Sequence, residues 1–430
     1  METSPAAPDQ DISSLLDSSN ISWSWVAFSA LDRYYRGRNR ATSFGQVPRS
    51  IPHETILVHG DLPDLAKTGI PLEFPGIEGV DAAAWNGRGR SWFIFTEAEE
   101  NIREMPEDAS QAIEALFGFP GEVPGILNAL HRPRHFHFPG NYHWIKDRSF
   151  VSAIRSRLAE LHSPMSSTPP ELRVLFSAAI ILSRYGTGAA RFSSKRPLAD
   201  SLSCPDIGDS GEKQEYIQSL ESEAGRLSPE YMRVCMELIL SGPAADLGLD
   251  LLHCAGVFSM LFPALADMDA TEQAKDHHPE GNVWRHSLES MKYRKTPDLR
   301  LAYALLLHDA GKPDARPKNG KRFHNHAQLG GDIAKKLLAE IGVDQQTIED
   351  TVWLIEHHMY PPALSRLPDR MRDPVMADPR FPLLLELYRC DISASFSGPQ
   401  RYYQACDIYN RYRKDRGLGK WRGETLSDQF

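Results

Sequence analysis

The sequence predicts a mostly α-helical protein with an α/β portion at its N-terminal end, and three observations predict it. From Phe150 onward, apolar residues recur at three- and four-residue spacing, the period of a helix with one buried face. Between Ser22 and Asp147 the chain instead mixes short apolar runs with many Gly and Pro. At 430 residues the chain also exceeds what one hydrophobic core usually holds, so more than one domain is expected.

Taken in order, residues 1–20 are polar and acidic and read as a frayed end. Within 21–149, Thr55-Ile-Leu-Val-His59 and Ser91-Trp-Phe-Ile-Phe-Thr96 read as strands and Ser110–Phe117 as a helix. Residues 150–270 read as helical, with amphipathic periods at Phe150–Leu161, Glu171–Arg184 and Ser228–Leu240. Between these, Ser194–Lys213 is rich in Ser, Asp, Gly and Pro and reads as a loop or linker. Residues 271–400 form a second helical domain. One helix there runs from Pro297, a residue favoured in first turns, to a stop at Gly311. Others cover Thr347–His358 and the apolar stretch Leu383–Ser395. Residues 401–430 are a basic, aromatic tail.

Composition excludes several classes. With 41% apolar and 24% charged residues the chain is neither disordered nor collagen-like. No run approaches the ~18 apolar residues of a membrane span. The start, Met1-Glu-Thr-Ser-Pro-Ala, lacks the basic and apolar regions of a secretory leader. Cys204, Cys235, Cys254, Cys390 and Cys406 are scattered without a Cys-x-x-Cys pair, against a disulfide scaffold or zinc finger. A reducing, cytoplasmic setting and no membrane partner are expected. The net charge of −9 argues against nonspecific coating of nucleic acid.

Eight of the 16 histidines (277, 278, 286, 308, 324, 326, 357 and 358) fall within residues 277–358, where uniform scatter would place about three. His308 and Asp309 end an apolar helix, and a buried ionised Asp is costly without a positive partner or several donors. His357 and His358 end a second helix; His286 and Asp391 lie among apolar neighbours on two others. Imidazoles and carboxylates converging from several helices suit Mn, Fe, Co, Ni, Zn or Mg. Each residue alone also admits a plain reading, a hydrogen-bonded core histidine or a His complementing a helix dipole. Their concentration favours a metal site.

These residues carry a family likeness. The series His286, His308-Asp309, Asp391 resembles the H…HD…D pattern of the HD superfamily of metal-dependent phosphohydrolases, and His308-Asp-Ala-Gly-Lys312 resembles its HD-x-G-K segment. More closely, His277-His-Pro-Glu-Gly-Asn-Val-Trp-Arg-His286, Phe323-His-Asn-His-Ala327 and Val352-Trp-Leu-Ile-Glu-His-His358 are similar to the HD region of bacterial tRNA nucleotidyltransferases and poly(A) polymerases. Glu230–Leu265 is similar to their neck. The resemblance implies that His286, His308, Asp309 and Asp391 hold a first divalent metal (Mn, Ni, Co, Fe or Mg). Asp309 would bridge to a second held by His326, His357 and His358, with Asp309 and Lys312 as the catalytic pair. The implied substrate is a phosphate ester of a nucleotide or an RNA end, and tRNA is an implied partner.

The N-terminal half departs from that family, whose nucleotidyltransferase palm carries Gly-Gly-x-Val-Arg-Asp and then an Asp-x-Asp pair. Trp25-Val-Ala-Phe-Ser-Ala-Leu-Asp-Arg-Tyr-Tyr-Arg-Gly37 keeps a faint outline without the glycine pair. The following Arg40-Ala-Thr-Ser-Phe-Gly45 has no acid, and Asp61 and Asp64 are spaced three apart rather than two. The expectation is a palm-like scaffold without its catalytic carboxylates, with two alternatives: a working CCA-adding or poly(A) polymerase, or a nucleotide-binding regulatory module without turnover. His131, His135, His137 and His143 read as a surface loop. From Arg401 to Arg422 seven basic residues face two acids, interleaved with Tyr402, Tyr403, Tyr409, Tyr412 and Trp421. Such a tail can bind RNA through Arg411, Arg413 and Lys414, or be a helix whose aromatics pack on the domain beneath.

Overall fold

Two patterns of burial organise the chain, one of period two in the strands near the N-terminus and one of period 3.6 in the helices. A computed structural model of the 430-residue chain describes residues 12–25, 53–59, 62–73, 82–86 and 90–96. It also describes seven helical positions between 172 and 184, and then 229–273, 281–315, 323–395 and 400–421. The chain divides into Met1–Ile207 and Gly208–Phe430. Phe150–Leu161, Ser110–Phe117, the His131–His143 group, His277 and His278 lie outside the described residues.

In the first unit, α1 (Ile12–Ser18) precedes β1 (Ser22–Trp25), followed by β2 (His53–His59), α2 (Leu62–Ala66), β3 (Ala82–Asn86) and β4 (Arg90–Thr96); residues 12–18 are thus a helix that buries Ile12 and Leu16, not part of a frayed end. The sheet order is β1-β2-β4-β3, with β1 antiparallel to β2, β2 parallel to β4, and β3 antiparallel to β4. Ile56 and Val58 are fully buried two residues apart, the alternation a half-buried strand requires. Both sequence-predicted strands are present, each slightly longer than expected. Asp64 sits in α2, 47% exposed and paired with Lys67, so it is a surface ion pair. Asp61 lies outside the described residues.

The second unit is built of helices joined by turns, with one isolated β-bridge between Glu272 and Asn282 among its described residues. It comprises α3 (Pro229–Leu240), α4 (Ala245–Cys254), α5 (Val257–Leu261), α6 (Pro263–Asp269), α7 (Val283–Lys292), α8 (Leu299–Leu307), α9 (His326–Glu340), α10 (Gln345–His357), a 3₁₀ turn at Pro361–Ala363, α11 (Asp369–Ala377), α12 (Phe381–Ala394) and α13 (Gln400–Asp415). Its centre is α8, buried at every residue from Leu301 to Leu307 and packed against α3, α7, α9, α10 and α12. A helix apolar on all sides belongs in the middle of such a bundle.

The ends of α8 differ from the sequence reading. The Asp298 carboxylate accepts from the backbone N–H groups of Arg300 and Leu301, so Asp298 is the N-cap and Pro297 lies before it. At the other end His308 is the C-cap, which puts Asp309 in the turn beyond the helix. Tail residues Tyr409, Tyr412 and Trp421 are buried, with Tyr409 against Phe381 at 4.7 Å between ring centroids. Those aromatics thus follow the packing alternative.

Among the described residues no helix is long and apolar enough to cross a membrane.

Candidate metal centre

The turn after α8 reaches α9 only because residue 311 is glycine. A Cβ there would clash with the His326 carbonyl oxygen and lie 2.6 Å from the Gly330 nitrogen. Asn325, in the left-handed conformation at φ 62°, starts α9 from the other side. This close approach sets Asp309 beside His326.

Around Asp309 the side chains fall into two groups, one for each carboxylate oxygen. Oδ2 is 3.4 Å from His308 Nε2 and 4.0 Å from His286 Nε2. Oδ1 is 3.6 Å from His326 Nε2 and 4.0 Å from His358 Nε2. His286 Nε2 also donates to Asp391 Oδ1 at 2.9 Å, which draws Asp391 to the first group. Five of these residues are buried; the Asp391 side chain is 27% exposed, toward the cavity.

Three of the imidazoles are held in the orientation a ligand would need. His308, His326 and His358 each donate from Nδ1 to a backbone carbonyl, of Leu305 (3.0 Å), Phe323 (2.9 Å) and Ile355 (2.6 Å). A carbonyl only accepts, so Nδ1 carries a proton, which leaves Nε2 as the nitrogen that can ligate once the ring is neutral. Burial pushes His308 down, and pushes His358 down to about 3, so both are neutral near pH 7. Burial alone would raise the carboxyl of Asp309, but Lys312 beside it holds it well below the usual range. Burial likewise opposes ionisation of Asp391, and His286 overcomes it.

Two further features fit a cation. His308 Nε2 is buried with no hydrogen-bond partner among the described residues. The Nε2 atoms of His326 and His358 face each other at 3.1 Å, and two acceptors at that distance repel unless a proton or a cation lies between them. The donor set of imidazoles with two carboxylates is the nitrogen-and-oxygen chemistry of Mn, Fe, Co, Ni or Zn, and it accommodates one ion or two.

Of the seven sequence-predicted ligands the structure brings together six and leaves out His357. Adjacent helix residues project about 100° apart. With His358 facing the cluster, His357 turns to a stack with Trp353 (4.4 Å between centroids) and donates to the Trp353 carbonyl. Lys312 is 8% exposed, its Nζ 2.6 Å from Asp309 Oδ2 and 2.7 Å from Gln273 Oε1. Gln273 was not foreseen, because it stands outside any motif. Nor were Tyr388 and Arg366, which line the cavity of about 660 Å³ in front of the cluster. Arg401, counted in sequence only as a tail charge, lines it too. On the tail, Arg411 and Lys414 are exposed, and Arg413 donates to Gly419 and lies over the Tyr409 ring.

Residues 283–386 match the HD domain family, and the chain therefore carries an HD domain. Among curated proteins, the A-adding tRNA nucleotidyltransferase of Deinococcus radiodurans is 32% identical over 148 residues, covering 32% of this chain and 34% of that protein. The CC-adding tRNA nucleotidyltransferase of Thermus thermophilus is 32% identical over 155 residues, covering 34% of each. The matched part spans about one third of the length of these two relatives, and such matches fall over the C-terminal half of this chain. A solved CCA-adding enzyme in complex with ATP aligns over 96% of this chain and 83% of its own, at 13% identity and a TM-score of 0.36.

Proposed function

We propose that the HD domain is a metal-dependent phosphohydrolase acting on a phosphate ester of a nucleotide or an RNA end. The observation that carries this reading is the division of Asp309, one oxygen toward His286 and His308 and the other toward His326 and His358. His286, His308, Asp309 and Asp391 would hold one divalent ion, and Asp309, His326 and His358 a second. Such ions supply Lewis-acid activation of water and of phosphoryl oxygens at neutral pH.

The chain's own residues do the rest. The Nδ1–carbonyl bonds fix the imidazole planes, so the ligands need little reorganisation. Lys312, held by Gln273, places a positive charge at the cluster, where it meets phosphate as a point charge. The apolar helices behind the cluster exclude bulk water from its rear face and strengthen each charge interaction.

The test uses metal-stripped protein with 2′,3′-cyclic AMP and an aryl phosphodiester. Mn²⁺, Ni²⁺, Co²⁺ and Mg²⁺ are added back singly, with Asp309→Asn as control. Turnover restored by metal and reduced at least a hundredfold in the variant is expected. Silence with every metal, from folded protein, overturns the reading.

A second reading, nucleotidyl transfer to tRNA, is favoured by the names of the curated relatives. Against it stands Arg40–Gly45, which supplies no acid where the family's Asp-x-Asp belongs and lies outside the described residues. The N-terminal half is then a palm-like scaffold without its carboxylates. Incorporation of labelled ATP or CTP into a tRNA lacking its 3′ end would establish transfer.

A further inference from the structure

The cavity in front of the cluster is larger and more positive than one phosphate requires. Its volume of about 660 Å³ is that of a site for a whole nucleotide. The cluster and Lys312 already supply the charge that a single reacting phosphate needs. Yet Arg366, just after the 3₁₀ turn, and Arg401, in the first turn of α13, line the same cavity from two separate elements.

Their state sets these two apart from most arginines around them. Arg300, Arg372, Arg380, Arg389 and Arg416 each meet a carboxylate. Among the described residues neither Arg366 nor Arg401 has such a partner, and both are exposed at the cavity. In a chain of net charge −9, two guanidinium groups left unpaired in one cavity mark a place for an anion. Phe323, Met359 (50% exposed) and Tyr388, whose buried hydroxyl has no partner, line the space beside them, an apolar face with one polar tip suited to a base or ribose.

We propose that Arg366 and Arg401 form a subsite for a second phosphate, so that the ligand of this cavity is a nucleotide with two phosphates rather than a simple phosphomonoester. This deepens the phosphohydrolase reading and rests on it for the position of the first phosphate. A free nucleoside bisphosphate and an RNA end with a neighbouring phosphodiester share the chemistry.

The test is equilibrium binding to the Mn²⁺-loaded full chain, comparing AMP, adenosine 3′,5′-bisphosphate and the 3′-phosphorylated dinucleotide ApAp. Each charge-assisted contact supports a gain of roughly tenfold. The bisphosphate should therefore bind at least tenfold tighter than AMP. That advantage should fall below threefold in Arg366→Ala/Arg401→Ala, while AMP affinity stays the same and so reports an intact site. Arg366→Lys/Arg401→Lys should keep part of it. Equal affinity for AMP and bisphosphate, or an advantage that survives the alanine pair, overturns the proposal. The same advantage for ApAp assigns the subsite to an RNA end; its restriction to the bisphosphate assigns it to a free nucleotide. Because binding is read without turnover, a retained advantage in a protein that hydrolyses nothing removes the hydrolase reading and leaves the subsite standing.

Discussion

Replacing Gly311 by alanine tests how the cluster is assembled. The added methyl clashes with the His326 carbonyl oxygen and meets the Gly330 nitrogen at 2.6 Å and Leu329 Cβ at 2.8 Å. Two of these three obstacles are backbone, so no rotamer change relieves them. Either the turn after α8 or the start of α9 must move by about an ångström. Overpacking costs up to about 3 kcal/mol where side chains can adjust, and a backbone obstacle belongs at the upper end. For a unit of this size that corresponds to a fall in Tm of roughly 6–12 °C. The same shift separates Asp309 from His326 and should weaken Mn²⁺ binding by at least tenfold. Differential scanning calorimetry and metal titration read the two effects. Gly419→Ala is the control, since a Cβ there meets nothing within 4 Å. An alanine variant with unchanged Tm and unchanged metal affinity would refute the argument that this contact positions the site.

Three further outcomes are expected. His357→Ala should leave metal affinity and turnover unchanged while costing about 1 kcal/mol from the lost Trp353 stack; loss of a bound metal would return His357 to the ligand set. Mn²⁺ at about a hundred times its Kd should stabilise the protein by roughly 2.7 kcal/mol per site, and chelator should reverse it; a Tm indifferent to metal would contradict the fit of the cluster. Burial raises the Asp246 carboxyl from 3.8 to about 6 against the opposing pull of Lys292. Because the folded value lies above the unfolded one, its contribution is fully present below pH 4 and is lost as pH rises to about 6, by at most about 3 kcal/mol. Asp246→Asn should flatten urea-derived stability between pH 4 and 6 and raise it at pH 7.5; an identical slope in the variant would rule out Asp246 as its source.

How far the fold was legible in the sequence depended on how local its causes are. α8 could be read because an unbroken apolar run leaves nothing but a buried helix, and β2 and β4 because β-branched and aromatic residues fill them. Helix ends escape such a reading where two signals compete. Proline can begin a helix, but the Asp298 carboxylate satisfies two backbone donors, and that decided the start. In the tail, basic and aromatic residues alternate in a way equally suited to stacking on bases or to packing. Tyr409 was decided by Phe381 of α12 beneath it, which no local pattern encodes.

The site divides along the same line. Ligand types and their clustering were visible because His and Asp in apolar surroundings are costly without a purpose. The choice between His357 and His358 was not, since both end α10 and only the rotation of that helix against α8 selects one. Gln273, Arg366 and Arg401 come from three places in the chain that meet only in the folded unit. The division of Asp309 also depends on tertiary structure. A carboxylate with histidines on one side is a single-ion ligand, whereas here α7 and the end of α8 address one oxygen and α9 and the end of α10 the other. Since both halves share one residue, occupancy of one half changes the charge that the other meets. On the proposed reading, metal binding to the two halves would be coupled, and any substitution at residue 309 would act on both at once.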